Sequence, residues 1–288
     1  MKAYEYILSK QTQWAFNRGI PLIGSRGQRG RPAYTPRLDQ NLFQPLESAT
    51  HDSFKQGDGN ETIGSAESPA KMQALHSSSA LGINVFQYWQ KIKQVPIIAA
   101  ACGFCREDNS TSVEIVFEDK YPIDSKFDVP PNIDIVFHNS ATSRLRRFAV
   151  ECKFTEPYSS QAHDGLKSKY VSLDKAWEGI TATYALAKSV SPDDSQFKYL
   201  HAAQLIKHIL GLKAGFGKDG FRLLYLWYDV FGKEGAAHRN EIDVFSGVVR
   251  SDGLKFHALT YQELILTLSK KHRDQHGEYI RYLTERYL

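Results

Sequence analysis

Three short apolar runs in the middle of the chain have the pattern of neighbouring β-strands. They read TSVEIVFEDKYP (111–122), PNIDIVF (131–137) and RRFAVECKF (146–154). Apolar runs of this length, bounded by polar or proline-containing segments, are typical of strands. The polar, basic stretch NSATSRLRR (139–147) is short enough to join the second and third runs as a hairpin.

Helical periodicity dominates the segments on either side of these runs. Between residues 69 and 93, for example, Leu81, Val85 and Trp89 recur at four-residue spacing. The segment 260–272 begins with Thr260 and carries Glu263 three residues later, which is the pattern of a capping box. We predict helices over residues 3–18, 69–93, 176–188, 195–217, 260–272 and 278–288.

Three further segments in the last third of the chain are predicted to be strands. FRLLYLWYDV (221–230) is a long apolar run of the kind that lies centrally in a sheet with both faces covered. FSGVV (245–249) and LKFHALTY (254–261) are shorter candidates. The order helix, three strands, helix, strand, strand, helix predicts an α/β fold with a mixed β-sheet flanked by helices.

The N-terminal part of the chain differs from the rest in composition. Residues 19–70 are rich in Gly, Pro, Ser, Gln and Asn and offer little apolar surface to bury, so we predict an irregular segment. We therefore divide the chain into a partly irregular, basic extension (1–70) and a main domain (71–288). The arginines in the extension include Arg26, Arg29 and Arg31. They belong either to a solvated linker or to a cationic arm that contacts a phosphate backbone.

Composition narrows the class of protein only slightly. The chain has 288 residues, of which 42% are hydrophobic and 24% charged, and its net charge is +4. This is the composition of a globular protein, and its mildly basic balance permits a nucleic-acid partner without requiring one. It has no apolar run of about 20 residues and no signal-peptide pattern, and its three cysteines do not suggest a disulfide framework. We expect a cytoplasmic protein with no membrane association.

Charged residues inside two of the predicted strands are the strongest chemical signal. Asp134 lies in the second apolar run, and Glu151 and Lys153 lie in the third. Charged groups are rarely buried unless they are paired or bind a metal. Because alternate residues of a strand share a face, Glu151 and Lys153 point the same way, roughly 6 to 7 Å apart. In the predicted hairpin, Asp134 falls opposite residues 151–153.

Two acids and a lysine in one patch fit a metal-assisted reaction. Neighbouring carboxylates repel each other, and a divalent cation removes that penalty. Oxygen ligands favour Mg²⁺ or Mn²⁺. The lysine could then orient or deprotonate a water molecule, or stabilise charge on a phosphate. The alternative is a structural Lys–Glu pair near a sheet edge.

The acid, the hairpin and the following ECK resemble the PD-(D/E)XK nuclease superfamily, which has the restriction-endonuclease-like fold. The sequence differs from the family pattern in that the proline is not adjacent to the acid, since it reads PPNID. The resemblance implies that Asp134 and Glu151 bind the metal and that Lys153 serves the attacking water. HSSSALGINVF, IVFEDKY, ECKFTE and AAQLIKHILGL are together similar to a bacterial subgroup of restriction-endonuclease-like proteins, over roughly residues 75–265.

The same resemblance indicates further site residues. In related nucleases, a helix after the E-x-K strand presents a glutamine to the site, and Gln204 occupies that place; the alternative is a plain surface residue. Many members draw another acid from the first helix, but this helix offers only Asn84 near its middle, so Glu118 of the first strand is the candidate substitute. Arg146 and Arg147, in the basic connection, are candidates for nucleic-acid binding.

Two other motifs match known binding patterns, but their surroundings in the sequence do not support those functions. GFGKDG (215–220) matches G-x-G-x-x-G, but it follows a predicted helix and precedes a strand, the reverse of a dinucleotide site. CGFC (102–105) has the spacing of a zinc or redox pair, but the only other cysteine is Cys152 and the histidines are scattered.

Three functional hypotheses follow from the sequence. The first is a Mg²⁺-dependent nuclease that hydrolyses DNA. The second is the same fold used to bind nucleic acid without cutting it, or as a subunit of a defence or repair complex. The third is an α/β protein with an unrelated metal or small-molecule role. Nucleases that cut both strands often dimerise, and the sequence leaves open whether this chain forms a homodimer.

Overall fold

The computed structural model describes residues 1–24, 32–55, 61–65, 68–125, 127, 129–160 and 163–288. Five strands and ten α-helices lie within these ranges. In chain order they are α1 (Ala3–Asn17), α2 (Ser48–Lys55), α3 (Ser78–Lys91), α4 (Val95–Ala101), β1 (Ser112–Lys120), β2 (Asn132–Asn139), β3 (Arg147–Lys153), α5 (Ser168–Val171), α6 (Thr181–Ser189), α7 (Ala202–Phe216), β4 (Phe221–Trp227), α8 (Lys233–Ser251), β5 (Phe256–Thr260), α9 (Tyr261–His272) and α10 (Gly277–Tyr287).

The five strands form one mixed sheet in the order β1-β2-β3-β4-β5. β1, β2 and β3 are antiparallel neighbours, whereas β3, β4 and β5 are parallel. Parallel neighbours need long crossover connections, which here contain α5, α6 and α7 between β3 and β4, and α8 between β4 and β5. Because β2 and β3 are antiparallel, the carboxyl end of β3 lies beside the amino end of β2, at one end of the strands. Asp134, near the start of β2, and Lys153, the last residue of β3, both lie at this end.

Helices cover both faces of the sheet and enclose two apolar cores. One core contains residues of α1, α3, α4, α9 and α10 together with Val150 and Cys152 of β3. The other contains residues of α6, α7 and α8 together with Ala149 of the same strand. β3 is thus buried on both sides, and its alternate residues face opposite layers as the sequence predicts. Glu151 is flanked by Val150 and Cys152 but lies on the other face, beneath α7.

The α/β fold with a mixed sheet is confirmed, and most predicted elements are found. The capping box of α9 is present, since Thr260 Oγ1 accepts from Glu263 N at 3.0 Å and Thr260 N donates to Glu263 Oε2 at 2.9 Å. The helix predicted over 69–93 is shorter, because α3 begins at Ser78 after a single 3₁₀ turn, Lys71–Gln73.

The prediction of a strand at 245–249 is wrong, because this segment lies inside α8. The buried apolar residues of α8 are Ile242, Phe245 and Val249, which recur at intervals of three and four residues. That spacing follows the turn of a helix and not the alternation of a strand. The short window FSGVV contains only two of these positions and hides the period.

A buried arginine joins the N-terminal helix to the C-terminal one. Arg286 of α10 is 1% exposed and its Nε donates to Gln11 Oε1 of α1 at 2.9 Å. Its guanidinium lies 4.0 Å from the ring centroid of Trp14 and also donates to the backbone carbonyl of Asn41 at 2.8 Å. Parts of the first 70 residues therefore pack against the main core, and the domain boundary at residue 70 stays a prediction.

Candidate active site

Three carboxylates occupy one level across the three antiparallel strands. Ile135 pairs with Val150, so Asp134 is one position further along and lies opposite Glu151. On the other side of β2, Phe117 pairs with Ile135 and Asp119 with Ile133, which places Glu118 level with Asp134. Adjacent strands are separated by about 4.8 Å, and directly opposed residues share a face. Register thus brings Glu118, Asp134 and Glu151 together.

The proximity of these acids has electrostatic consequences. Burial, and then repulsion from Glu151, raise the pKa of Asp134 well above its ordinary value. The same two causes raise the pKa of Glu118 to about 7. Glu151 behaves in the opposite way: burial raises its pKa, but Lys153 and His208 outweigh burial and lower the pKa to about 2. Glu151 therefore carries the fixed negative charge of the group.

Lys153 is the counter-charge at the centre of this group. Its Nζ donates to Glu151 Oε1 at 2.5 Å and to Gln204 Oε1 at 3.0 Å. Burial lowers the pKa of Lys153, but the carboxylates of Glu151 and Asp134 more than offset this, and the pKa lies above its ordinary value. Lys153 is accordingly a protonated hydrogen-bond donor. The structure places Gln204 beside it, on the first turn of α7, where the resemblance expects a glutamine.

His208 is a residue of the site that the sequence analysis did not select. It lies one turn after Gln204 on α7, is 1% exposed, and its Nε2 is 2.8 Å from Glu151 Oε2. Because a carboxylate can only accept, His208 Nε2 is the donor in this hydrogen bond. His208 Nδ1 has no hydrogen-bond partner in the described parts of the chain. The four-residue spacing from Gln204 was the signal available, because it puts both side chains on one helix face.

The backbone at Glu118 is unusual. Its φ is +54°, a left-handed conformation that residues other than glycine seldom adopt. Such strain persists where the surroundings hold a side chain in a particular direction. The Glu118 carboxylate accepts a long hydrogen bond from Asn132 Nδ2 at 3.4 Å. The alternative residue, Asn84, instead donates to the carbonyl of Asn41 at 3.1 Å and to the Tyr287 hydroxyl at 2.9 Å within the core.

The carboxylates supply donors suited to a hard divalent cation, but they are not arranged as a preformed metal cage. Among the described residues, no group of three His, Cys, Asp or Glu side chains could hold a metal ion in the present arrangement. Both oxygens of Glu151 are engaged, one by Lys153 and one by His208. Asp134 Oδ2 accepts from the backbone N–H of Cys152 at 2.7 Å. The chemistry of the donors fits Mg²⁺ or Mn²⁺.

The arginines predicted to bind nucleic acid lie away from these residues or outside the described ranges. Arg26, Arg29 and Arg31 are outside the described residues. Arg146 donates to the backbone carbonyl of Ala141, and Arg147 Nε donates to the Tyr121 hydroxyl at 3.2 Å. Arg147 is the first residue of β3 and Arg146 directly precedes it, so both lie about 20 Å along the strand from Lys153. Their role in nucleic-acid binding stays a prediction.

Comparison with known proteins connects this geometry to a family. The family model described as Restriction Endonuclease associating with ARP matches residues 8–288. The chain belongs to this family. No curated protein and no solved structure matches it significantly. The resemblance noted in the sequence is thereby confirmed at the level of a restriction-endonuclease-like protein.

Membership of the restriction-endonuclease family suggests a nuclease-type function and implies DNA as the substrate. It also agrees with the mixed sheet of the fold. Within the described ranges, no helix is both long enough and apolar enough to cross a membrane.

Proposed function

We propose that the protein is a metal-dependent nuclease that hydrolyses phosphodiester bonds of DNA at the site formed by Asp134, Glu151 and Lys153. The observation that carries this proposal is the convergence of three carboxylates, one buried and two partly buried, at a single level of the sheet, with one lysine beside them. Such an assembly costs folding free energy, because burial and mutual repulsion disfavour the charged acids. A structural ion pair would need Lys153 and Glu151 only, and it would not require two further acids.

A divalent cation, Mg²⁺ or Mn²⁺, would be held by Asp134 and Glu151, with Glu118 as a third oxygen donor. Bound there, it would supply Lewis-acid stabilisation of charge on the phosphate and a more acidic water. His208 fixes the orientation of the Glu151 carboxylate through Oε2. The hydrogen bond from the Cys152 N–H fixes Asp134 in the same way.

Lys153 acts as a donor in this mechanism. A protonated ammonium cannot take a proton from water, so the structure favours two of the roles considered for the lysine: orienting the attacking water and stabilising negative charge on the phosphate. Gln204 Oε1 accepts from the same ammonium at 3.0 Å and restricts its direction. Release of Glu151 Oε1 by Lys153 would leave the ammonium held by Gln204 and directed at the substrate.

The test is a nuclease assay on linear, circular and single-stranded DNA in Mg²⁺ or Mn²⁺, with and without EDTA. We expect cleavage that EDTA abolishes and that Asp134→Asn and Glu151→Gln each eliminate. Glu114→Gln is the matched control, because Glu114 is an exposed acid of β1 and should keep full activity. EDTA-resistant cleavage, or equal activity of all three variants, would refute the assignment of the site.

The second candidate function is a nucleic-acid-binding subunit of a complex that does not itself cut DNA. The family description names an association with ARP, and this favours a role within a complex. The same assay separates the two candidates, since a non-cleaving subunit would bind DNA while leaving every substrate intact in Mg²⁺ and in Mn²⁺.

A further inference from the structure

A large cavity opens directly beside the candidate site. It has a volume of about 910 Å³, and Lys153 forms part of its wall. Ligand pockets for single small molecules usually measure roughly 300 to 1,000 Å³. The cavity is therefore large enough for a nucleotide next to the proposed cleavage position. Its walls come from both the N-terminal extension and the main domain.

Flat rings are the common feature of these walls. His76 is packed edge-to-face between Tyr4, with ring centroids 5.7 Å apart, and Tyr34, at 6.2 Å. On another wall, His163 and His201 are stacked, with centroids 4.8 Å apart and planes inclined by only 11°. Nucleobases are held in protein pockets by stacking between such rings.

Hydrogen-bonding atoms on two of these rings have no partner. His76 Nδ1 and His163 Nε2 are both shielded from solvent and make no hydrogen bond in the part of the chain that is described. An unpaired buried polar atom costs about 1 to 3 kcal/mol, and a ligand with complementary atoms recovers that free energy once the ring turns the atom towards the cavity. The edge of a nucleobase carries both donors and acceptors and can pair with either ring atom when that atom faces the cavity.

The electrostatics of the cavity favour a neutral group over a phosphate. Burial lowers the pKa of His76, and burial together with His163 lowers the pKa of His201 to about 4, so both rings are uncharged at neutral pH. The charged residues in the wall are three acids and two lysines: Glu61, Glu156, Asp164, Lys71 and Lys153. One of these lysines, Lys71, is paired with Glu61 at 3.8 Å. An additional anion would thus meet a net negative wall.

We propose that this cavity receives an unpaired nucleobase adjacent to the scissile phosphate, stacked against the His163–His201 pair. The position of the scissile phosphate rests on the proposed function, and the inference adds the class of DNA that the protein prefers. A base inside a duplex cannot enter such a cavity without leaving its stack. The preferred substrate is therefore DNA with single-stranded character at the cleavage position, such as a single strand or an unpaired tail.

The test is a binding measurement that does not depend on cleavage. The full chain is titrated, in Ca²⁺ to neutralise the acids, into a fluorescently labelled single-stranded oligonucleotide and into its fully paired duplex. A series of the same single strands carries one abasic position each. We expect the single strand to bind more tightly than the duplex. We also expect the abasic change to weaken binding about 10-fold at one or two adjacent positions, the scale of one lost stacking contact.

Variants connect that loss to the histidine pair. His163→Ala/His201→Ala should weaken binding of the intact strand about 10-fold and should make it insensitive to the abasic position. His272→Ala, at the partly buried end of α9 against Trp89, is the matched control and should bind like the wild type. The proposal would be overturned if the wild-type protein bound all the abasic strands with the same affinity as the intact strand. Equal affinity for the single strand and the duplex would also overturn it. If binding depends on the abasic position but no DNA is cleaved in Mg²⁺, the nuclease function would be refuted and the nucleobase pocket would still be supported.

Discussion

Replacing Glu118 with glutamine is expected to stabilise the protein above neutral pH and to change its stability little in acid. Glu118 is partly buried and lies near Glu151, and these two causes raise its pKa from 4.5 to about 7 in the folded protein. Between those values the folded state binds more protons than the unfolded state, so the free energy of unfolding falls as the pH rises. Glutamine keeps the shape and an acceptor oxygen for Asn132, but it carries no charge.

The size of the effect follows from the change in pKa. A difference of one in pKa corresponds to about 1.4 kcal/mol, so a rise from 4.5 to about 7 corresponds to about 3 kcal/mol once Glu118 is ionised in the folded state. At pH 8 the wild type bears this cost. At pH 5 the folded protein keeps Glu118 protonated, and the cost is below about 1 kcal/mol.

The measurement is thermal unfolding of the wild type and Glu118→Gln at pH 5 and pH 8 in EDTA. For a chain of this length, 3 kcal/mol corresponds to a rise in Tm of about 5 °C, expected at pH 8 only. Addition of Mg²⁺ at pH 8 should stabilise the wild type more than the variant, because the proposed third oxygen donor is missing from the variant.

The matched control is Glu114→Gln, which removes an exposed acid from the same strand. Its stability should differ from that of the wild type by less than about 0.5 kcal/mol at both pH values. If Glu118→Gln stabilises the protein equally at pH 5 and pH 8, or not at all at pH 8, then Glu118 does not ionise in the field of Glu151. The proposed electrostatic coupling among the three acids would in that case be refuted.

Three further predictions concern the site and the extension. Lys153→Met should lower turnover about 10² to 10⁴-fold while retaining or increasing Mn²⁺ affinity, whereas Glu151→Gln should lower both; calorimetric titration beside plasmid cleavage distinguishes them. His208→Ala should leave a buried Glu151 oxygen unpaired and cost about 1 to 3 kcal/mol in urea unfolding, and His208→Gln should recover part of that stability and of the cleavage rate. Replacing the three arginines of residues 26–31 with alanine should weaken DNA binding and flatten its dependence on salt by up to about 0.9 slope units per lost contact. An unchanged salt slope would leave that segment as a linker.

Local patterns along the chain are sufficient to predict some features of this fold. The alternation along β3 is a property of neighbouring residues, so the sequence alone placed Glu151 and Lys153 on one face and Val150 and Cys152 on the other. The cap of α9 was equally predictable, because its two residues are three positions apart. The prediction for the segment 245–249 was wrong because this window covers little more than one helical turn, which is too short to show the period of α8.

The contents of the site beyond the acid–lysine pair depended on packing between distant elements. The alignment of Glu118 with Asp134 is set by the register of β1 on β2, which no short window specifies. His208 reaches Glu151 only because the crossover returns α7 over the face of β3, 57 residues further along the chain. The sequence alone therefore determined which charged residues lie on the central strands and which face they share. Only the tertiary structure decided which other charges surround them, because electrostatic coupling depends on distance in space and not on separation along the chain.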